Sequence, residues 1–210
     1  MRDTLLLIDS PIKGLEPHIT VRTGTPHNPA KPVLRIRRDG KFKIMQASDL
    51  HLATGFGVCR DALPKGQPCD ADPRTLEFVS KLLDTEKPDL VILSGDQING
   101  DTSPDTQTPI LKLADLFIRR QIPFAAIFGN HDDEKTPLSR QGSMSIYQSL
   151  PYSLTEPGLP TLSGIGNYVL EVLASGTSTH AALTLYLLDT HTYSPDEKHY
   201  HGYDLSLIHI

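Results

Sequence analysis

The sequence predicts a mixed α/β (α+β) fold, in which parallel strands and crossover helices are followed by an antiparallel pair of strands. Between residues 42 and 128, short β-prone runs alternate with amphipathic helical segments, which is the pattern of parallel strands joined by helices. Residues 168–173 and 182–188 are two further apolar runs, joined by a loop of small residues, and they predict an antiparallel pair. The 17 prolines and 15 glycines, with no tryptophan, favour many short elements over long helices.

The region before residue 33 is predicted to be a β-rich extension that ends in a linker. Residues 5–8 and 18–23 are β-prone and bounded by proline or glycine, and residues 26–32 are irregular. We therefore divide the chain into an N-terminal extension, residues 1–32, and a main domain, residues 33–210.

The main domain begins with a predicted β-hairpin. Residues 33–38 and 41–47 are β-prone runs, and they flank the dipeptide Asp39-Gly40. A two-residue hairpin turn prefers this dipeptide, because both of its turn positions need φ > 0.

The first predicted helix spans residues 73–85. Asp72 is interpreted as its cap and Pro73 as its first residue. Its apolar stripe consists of Leu76, Val79, Leu82 and Leu83. The next predicted elements are a strand at residues 90–93, a helix at 110–120, a strand at 124–128 and a helix at 139–150.

Composition limits the classes of partner. The net charge of −5 and the pI near 6.0, with no basic run longer than residues 35–38, exclude the electrostatic pattern of a nucleic-acid-binding protein. No apolar run reaches the roughly 18 to 20 residues of a membrane span, and residues 5–8 are too short for a signal-peptide core. We therefore expect a cytoplasmic protein without a membrane span. Cys59 and Cys69 share one polar loop, and they are either a small disulfide or free thiols.

Three polar clusters follow directly after three predicted strands. The carboxyl ends of neighbouring parallel strands share one edge of a sheet, so these clusters are expected to converge. Carboxylate, amide and imidazole groups suit Mn, Fe or Zn better than Ca or Cu. A spacing of two, as in a strand, would place both side chains of the first cluster on one face. The clusters are Asp49-Leu50-His51, Gly95-Asp96 and Gly129-Asn130-His131-Asp132-Asp133.

These clusters match the pattern D-x-H, G-D, G-N-H-[DE], and the sequence resembles the calcineurin-like metallophosphoesterase superfamily. The stretches ASDLHLATGFGVCRD, PDLVILSGDQING and AAIFGNHDDE resemble a fungal and plant branch of phosphatases related to purple acid phosphatases. The resemblance covers roughly residues 41–205. It implies a metallophosphoesterase-type β-sandwich flanked by helices, of which residues 33–210 would form only the first half.

The resemblance also implies a ligand set for two divalent or trivalent metal ions, Mn, Fe or Zn. One ion would bind Asp49 and His51, Asp96 would bridge both ions, and Asn130 would bind the second. His131 would contact the substrate phosphate, together with Asn130, and protonate the leaving oxygen while a hydroxide activated by the two metals attacks. Arg60 is either a clamp on the phosphate or an ordinary surface residue. The substrate would be a phosphorylated small molecule or a phosphoprotein.

Residues near His131 depart from the family pattern. Asn99 stands where many relatives place the aspartate partner of this histidine, or a tyrosine in purple acid phosphatases. The ring therefore lacks that partner unless Asn99 accepts a hydrogen bond or another carboxylate substitutes. The acidic residues that follow the histidine are interpreted as a helix-capping or solvated turn, although the first of them can still orient the ring; they are Asp132, Asp133 and Glu134.

The later family motif, a further histidine and then Gly-His-x-His, is not found after His131. His199-Tyr200-His201 has the spacing without the glycine, and His191 is interpreted as a structural or pocket-wall residue. We therefore expect a chain that stops before the C-terminal metal-binding histidines. We also expect little phosphatase activity, even with Mn²⁺, because the second ion would have only Asp96 and Asn130.

Three functions compete at this point. The leading one is a metal-dependent phosphoric ester hydrolase, either a phosphomonoesterase or a protein phosphatase. The alternative is a catalytically inactive fragment that acts, if at all, through protein contacts. A nuclease or phosphodiesterase on the same scaffold is disfavoured by the acidic charge balance.

Overall fold

The computed structural model describes residues 30–60, 62, 64–65 and 67–190, and it describes residues 4–7 and 18–21 by their backbone alone. The strands in these ranges are β1 (Thr4–Leu7), β2 (His18–Val21), β3 (Ile44–Ala47), β4 (Leu90–Ser94), β5 (Phe124–Ile127), β6 (Tyr168–Leu173) and β7 (Ala181–Leu187). The helices are α1 (Ala71–Glu86), α2 (Gln107–Arg120) and α3 (Arg140–Ser149), with a short 3-10 turn at Gly100–Thr102. None of these helices is long and apolar enough to cross a membrane.

A parallel sheet in the order β3-β4-β5 forms the centre of the domain. Ile44 pairs with Leu90, and Val91 pairs with Phe124. Helices α1 and α2 connect these strands, as the alternation in the sequence predicts. The three strands therefore end along one edge, where the three polar clusters begin.

One face of the central sheet is covered by the helices. Val91 of β4 belongs to the same buried cluster as Val79 of α1 and Ile110 of α2. The ring centroid of Phe117 on α2 lies 5.2 Å from that of Phe124 on β5. Fully burying one such side chain contributes about 1.5–3 kcal/mol, so this layer is a large part of the stability of the domain.

The other face of the central sheet is covered by the antiparallel pair β6 and β7. Their pairing, with Tyr168 opposite Leu187, confirms the predicted antiparallel pair. β6 alternates between buried and exposed residues, and its buried Leu170 lies in one cluster with Leu90 and Ala125 of the central sheet. The described residues thus form three layers, helices on a parallel sheet on an antiparallel pair. This is an α/β architecture of the predicted class.

The predicted hairpin around Asp39-Gly40 is wrong, although the turn itself forms. The amide of Arg37 donates to the carbonyl of Lys41 at 3.0 Å, and Gly40 has a φ of 78°. The arm before the turn, however, bonds to β6, through the amide of Ile36 and the carbonyl of Leu173 at 2.9 Å. The arm after it, β3, pairs with β4 instead. The turn therefore carries the chain from one sheet to the other.

The N-terminal strands pair with each other, with Thr4 opposite Val21, in agreement with the two predicted β-prone runs. The division of the chain at residue 33 stays a prediction. Cys59 and Cys69 form a disulfide, which decides the alternative that the sequence leaves open. The predicted cytoplasmic location also stays a prediction.

Candidate metal centre

The loops that follow β3 and β4 run side by side beyond the ends of the strands. The amide of Asp49 donates to the carbonyl of Gly95 at 3.1 Å, and the amide of His51 donates to that of Asp96 at 3.0 Å. The amide of Leu52 continues this ladder. The first two polar clusters are therefore fixed to each other by their backbones.

Asp49, His51 and Asp96 form one cluster of potential metal ligands. One ligand atom from each residue lies within 4.8 Å of the others, and His51 Nε2 lies 3.9 Å from Asp49 Oδ1. Two carboxylates and an imidazole suit Mn, Fe or Zn. The structure thus brings together three of the four predicted ligands with donor atoms of the right chemistry.

The backbone reason for this convergence differs from the predicted one. Asp49 and His51 lie beyond β3, which ends at Ala47, so strand alternation does not align them. Instead Asp49, His51 and Asp96 all have left-handed backbone conformations, with φ of 56°, 47° and 53°. Each such residue costs about 1–3 kcal/mol, and such strain persists only where the surrounding structure holds it.

The third polar cluster closes on the second through two glycines. A Cβ on Gly129 would lie 2.2 Å from Asp96 Oδ1, and a Cβ on Gly95 would lie 2.7 Å from the nitrogen of Gly129. The amide of His131 donates to Asp96 Oδ1 at 2.8 Å. Asn130, the fourth predicted ligand, is half-buried and lies between two residues that touch Asp96.

Asp132 joins the second and third polar clusters through backbone hydrogen bonds, and it is not a solvated residue. It is 2% exposed, and its carboxylate accepts four backbone amides. These amides belong to Asp96 at 2.8 Å, Gln97 at 2.9 Å, Ile98 at 3.1 Å and Gly129 at 2.7 Å. Burial raises the pKa of Asp132 to about 6, and the hydrogen bonds from the backbone oppose that rise. The predicted capping or solvated role of this residue is therefore wrong.

Replacing Asp132 by asparagine is expected to lower the free energy of unfolding by about 2–3 kcal/mol. The amide nitrogen of asparagine would face backbone N–H donors that now have an acceptor, and those donors would stay buried without one. Urea unfolding followed by circular dichroism measures the effect. Asp101→Asn is the matched control, because Asp101 is about half exposed and pairs only with Lys135 among the described residues. Equal losses in the two variants would contradict this role of Asp132.

The carboxylate partner of the His131 ring is Glu134. Its Nδ1 lies 2.5 Å from Glu134 Oε2, and its ring centroid lies 5.1 Å from that of His51. The substituting carboxylate that the sequence left open is therefore Glu134, whereas Asp132 faces backbone amides and does not orient the ring. The spacing of three residues in the sequence could have signalled this contact.

Arg140 is a residue of this site that the sequence did not reveal. Its guanidinium donates to Asp133 at 2.9 Å, to Asp189 at 2.8 Å and to the carbonyl of Gly129 at 2.6 Å. Burial opposes its charge, but the two carboxylates outweigh it and raise the pKa of Arg140. Asp133 lies in a turn, as predicted, and its half-buried carboxylate is also an ion-pair partner. At the start of a polar helix, an arginine gives no sequence signal for such a role.

The loop after His51 is held by a buried ion pair. Lys112 Nζ lies 2.9 Å from Asp72 Oδ2, and it also donates to the carbonyls of Ala53, Thr54 and Gly55. Asp72 accepts the amide of Ala53 at 3.1 Å. The predicted cap role of Asp72 is wrong, because helix α1 has Asp70 at that position.

A cavity of about 920 Å³ opens beside the cluster. Asp49, His51 and His131 form part of its wall, together with Asn99 and Asp101. Arg60 is exposed and lines the same cavity, so it lies near the predicted phosphate site. His191, His199 and His201 lie outside the described residues.

Comparison with known proteins agrees with this geometry. The model of the family described as calcineurin-like phosphoesterase matches residues 42–207. The chain belongs to the calcineurin-like phosphoesterase family. This family uses divalent metal ions and acts on phosphorylated substrates.

Relatives of this calcineurin-like phosphoesterase come from yeasts and plants. It is 44% identical to Phosphatase DCR2 of Saccharomyces cerevisiae over 79% of this chain and 29% of that protein. It is 35% identical to Probable inactive purple acid phosphatase 29 of Arabidopsis thaliana over 81% of this chain and 46% of the relative. Probable inactive purple acid phosphatase 14 of Arabidopsis thaliana is also 35% identical, over 81% of this chain and 45% of the relative. The predicted fungal and plant branch is confirmed, and the chain spans less than half the length of each of these relatives.

Proposed function

We propose that this chain provides the metal and phosphate site of a metal-dependent phosphomonoesterase or protein phosphatase. The observation that supports the proposal is the approach of Asp49, His51 and Asp96 to within 4.8 Å of one another, with Asp49 and His51 in the same cavity wall as His131. Membership of a phosphoesterase family agrees with that chemistry.

The proposed ligands follow the predicted assignment. Asp49, His51 and Asp96 would hold one ion, and Asp96 and Asn130 would hold the second. Such ions, when bound, supply Lewis acidity that stabilises charge on a phosphate and lowers the pKa of water. The two carboxylates and the imidazole suit Mn, Fe or Zn, but they do not select one of them.

His131 is proposed to serve the leaving group. Its Nδ1 faces Glu134, which fixes the ring and leaves Nε2 as the nitrogen available to a substrate. From the cavity wall, Nε2 can contact the phosphate and deliver a proton to the departing oxygen. The amides of Gly129 and His131 are engaged by Asp132 and Asp96, so the phosphate contact falls to side chains.

An inactive protein is the second candidate. The plant relatives are named probable inactive purple acid phosphatases. Among the residues that the structure describes, the proposed second ion has only Asp96 and Asn130, which is few for tight binding. Under this alternative the chain would keep one ion and act, if at all, through protein contacts.

Replacing Asp96 by asparagine tests the proposed function. The variant is expected to bind Mn²⁺ about tenfold more weakly or worse, because a metal ligand loses its charge. Calorimetric titration with Mn²⁺ measures this, and p-nitrophenyl phosphate hydrolysis is followed on the same samples. Asp101→Asn is the control, because Asp101 lines the same cavity but is not in the ligand cluster. Unchanged Mn²⁺ affinity in Asp96→Asn would contradict the proposal, whereas Mn²⁺ binding without hydrolysis in the unaltered chain would favour the inactive alternative.

A further inference from the structure

Two arginines line the cavity beside the metal cluster. Arg60 follows Cys59, and Arg74 lies in the first turn of α1; both are exposed, and both face the cavity that His131 also lines. Within the described residues, neither guanidinium has a carboxylate partner. Arg119, Arg120 and Arg140, in contrast, each pair with an aspartate.

The described part of the cavity wall around these arginines has little compensating negative charge. Asp101 also lines the cavity, but Lys135 Nζ lies 2.9 Å from its carboxylate. Among the described residues, the other carboxylate of the wall is that of Asp49, which belongs to the proposed metal cluster. The arginine side of the cavity is therefore positive and suited to an anion.

The backbone segments that hold the two arginines are joined to each other. The disulfide joins Cys59 to Cys69, and the amide of Cys59 donates to the carbonyl of Cys69 at 3.2 Å. The amide of Asp72 donates to the carbonyl of Phe56 at 2.7 Å, which ties the start of α1 to the same loop. Two arginines on backbone segments that are tied together lose less conformational entropy on binding a ligand than two arginines on separate mobile loops would.

We propose that Arg60 and Arg74 bind a second anionic group on the substrate, a carboxylate or a phosphate, beside the ester that is hydrolysed. This inference rests on the proposed function, since it takes the metal cluster and His131 as the site of the ester. A cavity of about 920 Å³ is much larger than one phosphate needs, so it has room for the leaving group and its charge. The planar guanidinium fork matches both carboxylate and phosphate oxygens.

Binding of paired ligands tests the proposal. A phosphoserine peptide flanked by aspartates is compared with one flanked by alanines, in Mn²⁺, by fluorescence anisotropy. The unaltered chain is expected to prefer the acidic peptide by about five- to tenfold, as two partly exposed ion pairs give. Arg60→Gln and Arg74→Gln should each lose part of that preference, and the double variant should lose nearly all of it. Arg38→Gln, in an exposed turn that does not line the cavity, should keep it.

A second pair of ligands identifies the source of the anion. Glucose 1,6-bisphosphate is compared with glucose 1-phosphate in competition with the peptide. An arginine-dependent preference in either pair supports the proposal and shows whether the second anion belongs to a peptide or to a small molecule. No preference in either pair overturns it. Equal weakening of both members of each pair in the double variant also overturns it, because the arginines would then hold the ester itself.

A metal-free arm separates this inference from the proposed function. In EDTA, unphosphorylated peptides with aspartates or alanines report on the arginines alone, and the acidic one should bind more tightly in an arginine-dependent way. The increase in peptide affinity that Mn²⁺ and phosphorylation produce reports on the metal site. If the first difference is absent, glucose 1,6-bisphosphate shows no arginine-dependent preference and the Mn²⁺-dependent gain is intact, the arginine proposal alone is overturned. An intact first difference without the Mn²⁺-dependent gain would overturn the proposed function alone.

Discussion

Replacing Lys112 by methionine is expected to lower the free energy of unfolding by about 3–5 kcal/mol. Lys112 is 15% exposed and its partner Asp72 is 2% exposed, so the variant leaves a buried carboxylate without its cation. The same change frees the carbonyls of Ala53, Thr54 and Gly55, which Lys112 now binds. Urea unfolding followed by circular dichroism measures the loss.

Two further variants show whether burial of the charge is the cause. Lys81→Met is the matched control, because Lys81 pairs with Glu77 on the exposed face of α1, and this variant is expected to lower the free energy of unfolding far less. The double variant Lys112→Met, Asp72→Leu should recover much of the loss, since it removes both buried charges. If Lys112→Met lowered the free energy of unfolding no more than Lys81→Met did, the ion pair would not be what stabilises the loop after His51.

The layout of the central sheet could be predicted because its signals are local. The run at β4 is continuously apolar, as expected of a strand buried on both faces, and it lies between two amphipathic helical segments. Short connections and crossover helices then leave few topologies to choose from. The antiparallel pair β6 and β7 was predictable for the same reason, since alternating residues flank a small-residue turn.

Strand partners that lie far apart in the sequence could not be predicted. The dipeptide Asp39-Gly40 specifies a turn, but it does not specify which sheet each arm joins. Leu34 is buried among residues of β6 and β7, and that distant packing takes the first arm away from β3. A local turn signal therefore gave the correct turn and the wrong pairing.

The convergence of the three polar clusters was predictable, but the contacts that hold them were not. Convergence follows from the shared edge of a parallel sheet. The partners of Asp132, in contrast, depend on loops whose residues have positive φ, and no pattern in the sequence sets those angles. The contacts of Arg140 and Lys112 could not be predicted either. A charged residue on a helix is expected to be solvent-exposed unless the distant carboxylate that it pairs with is known.

In an active parent enzyme that contains this chain, replacing His131 by alanine is expected to lower turnover by about 10²–10⁴-fold and to leave Mn²⁺ affinity nearly unchanged. The imidazole lies in the cavity wall with Nδ1 on Glu134, which leaves Nε2 for the proposed contact with the phosphate and the leaving oxygen. The ligand cluster of Asp49, His51 and Asp96 does not include it. Kinetics with p-nitrophenyl phosphate measure the first effect, Mn²⁺ titration measures the second, and inorganic phosphate binding in Mn²⁺ gives a further readout that does not require turnover.

His180→Ala is the matched control, because His180 is an exposed histidine next to β7 and is expected to change none of the three measurements. Glu134→Gln should give a smaller loss than His131→Ala, since it keeps a hydrogen-bonding group beside Nδ1 but removes the charge that holds the ring. The two variants together separate positioning from proton transfer, because only the alanine removes the donor itself. If His131→Ala lost Mn²⁺ as Asp96→Asn is expected to, then His131 would be a metal ligand, and the proton would have to come from another group in the cavity.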